Sequence, residues 1–329
     1  MERLHAYLEA CSVTGASIAL IRNGSIEVVA IGRRDIETNE PVNAQTVFDT
    51  ASLTKPMVAY AVLQLVDAGV LQLDEPISNF APSIVPGDPT AALISTRHLL
   101  THTCGLQNLK GNAPFRMYFK PGAWFSYASV GFTYLQSAIE LRTGEPLDAT
   151  MQRLVFDPLG MHSSSLQWRT RFRGNFASPH ENGKQLDKHF ASKANASYSL
   201  QTTAGDYGAF VAAVLTGDRL SDSTHRQWLT ASINVPKGAA VHLDNVQPEV
   251  EHDIGWGLGW GIESSHGTFF HWGKMSGVRT FAMGSVPEQS GVVLLTNCNT
   301  GLRLMEAVVS EALLGKHPAM GWLDTCVTE

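Results

Sequence analysis

Apolar positions along the chain follow three successive rhythms. Residues 16–32, ASIALIRNGSIEVVAIG, alternate around Asn23-Gly24. That dipeptide suits a tight hairpin turn, so two antiparallel strands are predicted. From Ser52 to about Leu71 the period lengthens, with Val58, Val62, Leu65 and Val66 at spacings of three and four and Gly69 as a stop. Pro56 is tolerated only in a first helical turn, so this helix begins at or very near Ser52. Further helical patterns follow, including VGFTYLQSAIELRTG (130–144) and AGDYGAFVAAVLTG (204–217), each closed by a glycine. Residues 170–200 are polar with weak periodicity and read as loops. Beyond residue 255 strand patterns return in GWGLGWGIE, GTFFHWG, TFAMGSV and SGVVLLTN, before an amphipathic helix over 302–314.

This order predicts an α+β fold, an α/β sandwich whose antiparallel sheet is formed by both chain ends and flanked by helices, with a mainly helical domain inserted. The expected boundaries are 1–74 and 236–329 for the sheet domain and 75–235 for the helical one. With 329 residues, 44% hydrophobic and 16% charged, the chain has ample core and needs no staples. A net charge of -6 and no basic run interleaved with aromatics argue against a nucleic-acid partner. Cys11, Cys104, Cys298 and Cys326 form no CxxC and lack ligand spacing to histidine, so free thiols are expected rather than a zinc site or disulfide framework. Glu2, Arg3, His5 and Glu9 leave no apolar signal-peptide core, and no run reaches the 18 or so apolar residues of a membrane helix. A cytoplasmic protein with no membrane partner is expected.

Ser52-Leu53-Thr54-Lys55 brings a hydroxyl and an amine to i and i+3, on one face of a helix. A serine hydroxyl is a poor nucleophile unless a base takes its proton, and lysine serves only when burial or positive potential lowers its pKa. A helix N-terminus favours a developing oxyanion and disfavours a second positive charge. His98 and His102 form HxxxH, but without the intervening glutamate or a third ligand, so a structural role is expected for both. The glycines of GWGLGWG do not match GxGxxG, and no GxSxG elbow is present. Trp124, Trp256, Trp260 and Trp272 are core or the wall of an apolar pocket.

Several stretches in order, FDTASLTKP (48–56), RHLLTHTCGL (97–106), PGAWFSYASVGF (121–132), FDPLGM (156–161), GLGWGI (257–262) and HWGKMSG (271–277), make the chain resemble the serine β-lactamase and penicillin-binding protein superfamily, in its class C-like branch of esterases and peptidases. The resemblance implies a β-lactamase/transpeptidase-like fold, with Ser52 as acylated nucleophile, Lys55 as its proton partner and Tyr127 as the second-motif acid or base. It implies an oxyanion hole from the backbone N–H groups of Ser52 and Lys274, substrate contacts at Ser129, His271, Trp272 and Gly273, and no metal or organic cofactor. Tyrosine titrates near 10, so a phenolate would need cationic neighbours, for which Lys55 and His271 are the candidates.

Two departures bear on substrate. Tyr127-Ala128-Ser129 has a hydroxyl where the family often has an asparagine amide, and His271-Trp272-Gly273 begins with histidine where β-lactamases usually have lysine. A neutral histidine attracts a substrate carboxylate less than an ammonium does. Arg279 is a further candidate cation. The leading expectation is a carboxylesterase for small or medium acyl esters. The alternatives are a D-amino-acid peptidase, amidase or β-lactamase-like hydrolase using the same residues, and a non-catalytic binding protein retaining the fold. The expected partner is a small-molecule ester, amide or peptide.

Overall fold

The computed structural model of the chain describes residues 2–327 and the side chains of 6–326. Its strands are β1 (Gly15–Arg22), β2 (Ser25–Asp35), β3 (Glu40–Pro41), β4 (Phe48–Asp49), β5 (His180–Glu181), β6 (Lys184–Gln185), β7 (Gln201–Thr202), β8 (Ile233–Pro236), β9 (Val250–Trp256), β10 (Gly261–Glu263), β11 (Thr268–Met275), β12 (Val278–Ser285) and β13 (Ser290–Thr296). Its α-helices are α1 (Glu2–Ala10), α2 (Thr54–Asp67), α3 (Thr96–Leu100), α4 (Ser129–Thr143), α5 (Leu147–Met151), α6 (Ala204–Thr216), α7 (Asp222–Trp228), α8 (Met305–Ala312) and α9 (Pro318–Val327). No described helix is long and apolar enough to cross a membrane.

The chain forms two compact units, Met1–Met57 with Met151–Asp218 and Phe270–Lys316, and Val58–Thr150 with Arg219–Phe269 and His317–Glu329. In the first, both chain ends build one sheet in the order β3-β2-β1-β13-β12-β11. The β1–β2 hairpin turns at Asn23 and Gly24, both with positive φ. Antiparallel β1–β13 pairing sets Ala16 opposite Thr296 and Arg22 opposite Ser290. Val292, Val293, Leu294 and Leu295 are all fully buried, as successive strand residues are when both faces are covered. Helices α6 and α8 both pack on β13. Close approach of α6 requires small residues, because a Cβ on Gly208 would lie 3.2 Å from Ala19 Cβ and one on Gly291 2.9 Å from Val211. This packing groups α6 with the sheet, whereas the sequence boundaries put it in the helical insert. Residue 1 and residues 328–329, the outer ends of those boundaries, lie outside the described residues.

The second unit pairs β10, β9 and β8 antiparallel and packs α9 against β9. Its helices α3 and α4 touch where Gly131 faces Leu99 and Cys104, and Trp228 of α7 stacks on Tyr60 with ring centroids 5.3 Å apart. Helix α4 stops at Gly144 and α6 at Gly217, both left-handed, as their glycine signals predict. Helices α1 and α9 lie outside the helices that the sequence pattern predicts. Residues 170–200 hold a 3-10 turn and the two-residue strands β5 and β6 amid irregular chain.

Candidate active site

Ser52 stands on a 3-10 turn, Ala51–Leu53, directly after β4. Ala51 has φ of 49°, a left-handed conformation that costs about 1–3 kcal/mol when a Cβ is present and so must be held by its surroundings. The holding contacts come from three elements. Thr54 Oγ1 donates to Ala51 O at 2.7 Å, Thr280 Oγ1 of β12 to Thr50 O at 2.8 Å, and Tyr207 Oη of α6 to Leu53 O at 2.9 Å. Helix α2 starts at Thr54, which puts Pro56 in its first turn as expected. The 3-10 start differs from the α-helical one predicted; Ser52 lies in that turn and Lys55 is the second residue of α2, three positions on.

Lys55 Nζ donates to Ser52 Oγ at 2.9 Å and to Ser197 O at 2.8 Å. Lys55 is fully buried, and burial holds its pKa well below the ordinary 10.5. The same unit carries the third motif on β11. His271 is fully buried with Nδ1 donating to Trp272 O at 2.8 Å, so its acceptor nitrogen is Nε2. Burial first, and then the neighbouring Lys55, push His271 down to about 3. It is therefore neutral at ordinary pH and is no cationic partner for a phenolate. Gly273 is required by close approach, because a Cβ there would lie 2.2 Å from both Thr50 O and Thr280 Oγ1. Trp272 is buried and its ring stacks on His271, whereas Lys274 is exposed. Arg279 folds back on its own hairpin, where Nη1 donates to Met275 O at 2.8 Å and Val278 O at 2.9 Å.

Tyr127 and Ser129 belong to the second unit, where the second motif runs into α4. Five consecutive backbone N–H groups of this segment are bound. Ser126 donates to His102 O (2.8 Å), Tyr127 to Ala240 O (2.8 Å), Ala128 to His102 Nδ1 (3.0 Å), Ser129 to Asn108 Oδ1 (3.1 Å) and Val130 to Asn108 O (3.0 Å). The His102 ring stacks on the Tyr127 ring, centroids 4.2 Å apart, and Trp256 meets Tyr127 edge-on at 6.1 Å. Ser129 is thus the first residue of α4, its N–H capped by an asparagine from another loop.

Of the residues singled out from sequence, Ser52, Lys55, His271 and Gly273 gather in one unit, while Tyr127 and Ser129 lie in the other. His98 is structural, its Nδ1 accepting from Ser95 N–H in a capping box. Sequence inspection missed Ser197 and Asn108 and undervalued His102. One signal was available: Ala128, the N-cap of α4, has no side chain able to cap it, so an acceptor must arrive from elsewhere.

The Beta-lactamase family model matches residues 2–312. Esterase EstB of Burkholderia gladioli is 33% identical over 204 residues, covering 52% of this chain and 51% of the relative, so this match spans about half the relative's length. Penicillin-binding protein 4 of Amycolatopsis lactamdurans is 27% identical over 90% of this chain and 84% of its own. Among solved structures, a class C beta-lactamase superposes with TM-score 0.78 at 18% identity over 96% of each chain. The octameric penicillin-binding protein homologue from Pyrococcus abyssi gives 0.77 at 20% identity, over 94% of this chain and 76% of that one. At these identities the structural likeness is one of fold, which is β-lactamase/transpeptidase-like.

Proposed function

The chain belongs to the Beta-lactamase family, whose members are serine hydrolases, and from that premise we propose that it hydrolyses carboxylic esters of small or medium acyl groups through a Ser52 acyl-enzyme. The observation that carries this is the fully buried Lys55 with Nζ 2.9 Å from Ser52 Oγ. Burial lowers the pKa of this amine and so favours its neutral, proton-accepting form relative to a solvated lysine. Ser52 Oγ attacks the ester carbonyl carbon while its proton passes to Lys55 Nζ. The tetrahedral oxyanion is met by the backbone N–H groups of Ser52 and Lys274. The C–O bond to the alcohol then breaks, and the alkoxide takes a proton through Lys55 and Tyr127. Water repeats the sequence on the acyl-enzyme, releasing the acid and restoring Ser52.

The ester preference is supported by the substrate-binding motifs. Ser129 offers no carboxamide for a substrate amide, His271 is neutral and buried, and the Arg279 guanidinium is turned to its own hairpin carbonyls. Substrates bearing a carboxylate therefore find little attraction at these positions. The relative named an esterase agrees with this choice. A peptidase or β-lactam-directed activity with the same residues is the second possibility, favoured by the penicillin-binding relative that matches 90% of the chain. Turnover of a p-nitrophenyl ester, a D-alanyl peptide and nitrocefin separates them. Efficient ester turnover is expected, with a fluorophosphonate mass shift on Ser52 that vanishes in Ser52→Ala. Cleavage of the D-peptide with an inert ester would overturn the esterase assignment, and labelling that persists in Ser52→Ala would put the nucleophile elsewhere.

A further inference from the structure

His102 is completely buried and has φ of 54°, although it is not a glycine. That left-handed conformation is uncommon for a residue with a Cβ. Here the conformation lets one residue grip the second motif twice. Its carbonyl accepts from Ser126 N–H and its Nδ1 accepts from Ala128 N–H, the two amides that flank Tyr127. Its ring then lies on the Tyr127 ring at an interplanar angle of 29°. Phe125, Phe132 and Trp256 surround the imidazole at 5.8, 5.4 and 5.4 Å, so the ring is itself held. An Nδ1 that accepts from an amide carries no proton. The imidazole against the phenol is therefore neutral, with its single proton on Nε2.

We propose that His102 is the positioning residue of Tyr127, fixing its backbone on both sides and its ring on one face. The proposal rests on the role assigned to Tyr127 in proton transfer. Neither function of the side chain is generic. Phenylalanine keeps a ring but leaves the buried Ala128 N–H without an acceptor, and alanine supplies neither. Asparagine tolerates the left-handed backbone and brings Oδ1 near the place of Nδ1, but has no ring to stack.

The test is a double-mutant cycle on the acylation rate with a p-nitrophenyl ester, using Tyr127→Phe, His102→Ala, His102→Asn and the two double variants, with thermal melts for each. General acid or base assistance is commonly worth about a hundredfold or more, so Tyr127→Phe is expected to slow acylation by that order. His102→Ala is expected to slow it about tenfold or more when Tyr127 is present and to add little in Tyr127→Phe, because it acts through the phenol. His102→Asn should recover part of that loss, and the pH profile of acylation should shift in both single His102 variants. Equal losses in the two backgrounds, with an unshifted pH profile, would overturn the positioning role and leave Tyr127 standing. Normal acylation by Tyr127→Phe would instead remove Tyr127 from the mechanism, and the role of His102 with it. If His102→Ala fails to fold, the same comparison with His102→Asn decides, since that variant keeps the acceptor and the backbone preference.

Discussion

Lys55 is lowered in pKa by burial, and its Nζ donates to Ser52 Oγ and Ser197 O. That makes the residue useful and costly at once. Between its depressed folded pKa and the ordinary 10.5 the unfolded chain binds a proton at Lys55 that the folded chain does not, so this residue's contribution makes stability rise with pH across that window. Lys55→Met keeps the apolar stem and removes the amine. The variant is expected to lose acylation by about a hundredfold or more, to melt at a higher temperature than the wild type at neutral pH, and to show a weaker rise of stability with pH. Melting curves over a pH series check this, and a Lys55→Met protein that melts lower would show that the amine stabilises the fold. Gly273 shows the same pressure on a backbone scale, since β11 approaches Thr50 too closely for any side chain at that position.

At the scale of elements, the last helix is fastened by one buried carboxylate. Glu263, at the end of β10 and fully buried, accepts from Thr268 Oγ1 at 2.5 Å, His317 Nδ1 at 2.8 Å and Ala319 N–H at 2.7 Å. The Ala319 bond satisfies one of the orphan amides that open α9. Trp322 Nε1 adds a bond to Pro236 O of β8 at 2.9 Å. Burial alone would raise the pKa of Glu263, but the bonds from His317, Thr268 and Ala319 outweigh it and hold the group below the ordinary 4.5. A depressed carboxylate contributes stability that is present above its unfolded pKa and is lost as pH falls through the folded one. Glu263→Gln places a donor where an acceptor is needed and is expected to cost about 1–3 kcal/mol, with earlier hydrogen exchange in α9 and less acid sensitivity below pH 4.5. Unchanged exchange in α9 would show that other contacts hold the helix.

For the molecule as a whole, stability is supplied by packing without covalent staples. Cys11, Cys104, Cys298 and Cys326 are all free thiols. Burial pushes the Cys104 thiol up to about 11, so it presents almost no thiolate at neutral pH. A reductant is expected to leave the melting temperature unchanged, and iodoacetamide is expected to spare Cys104 until the protein unfolds. A fall in melting temperature on reduction would reveal a disulfide, and rapid alkylation of Cys104 would reveal an opening of α3 from α4.

The local elements were largely legible in the chain. Period-two alternation about Asn23-Gly24, a proline allowed only in a first helical turn, and glycines that end α4 and α6 act over a few residues and need no distant partner. The Ser52–Lys55 spacing is equally local, and the family resemblance of the stretches around it is what lets the proposed nucleophile and base be named from sequence. Long-range contacts settled the rest. Whether α6 joins the sheet or the helical insert depended on which surface covers β13, and the charge of His271 depended on its burial beside Lys55. Likewise His102 and Asn108, 25 and 19 residues before Tyr127 in the chain, reach the second motif only because the fold returns them there. Sequence periodicity records which face of an element is buried; which residue meets it is a property of packing, and only the tertiary structure supplies that.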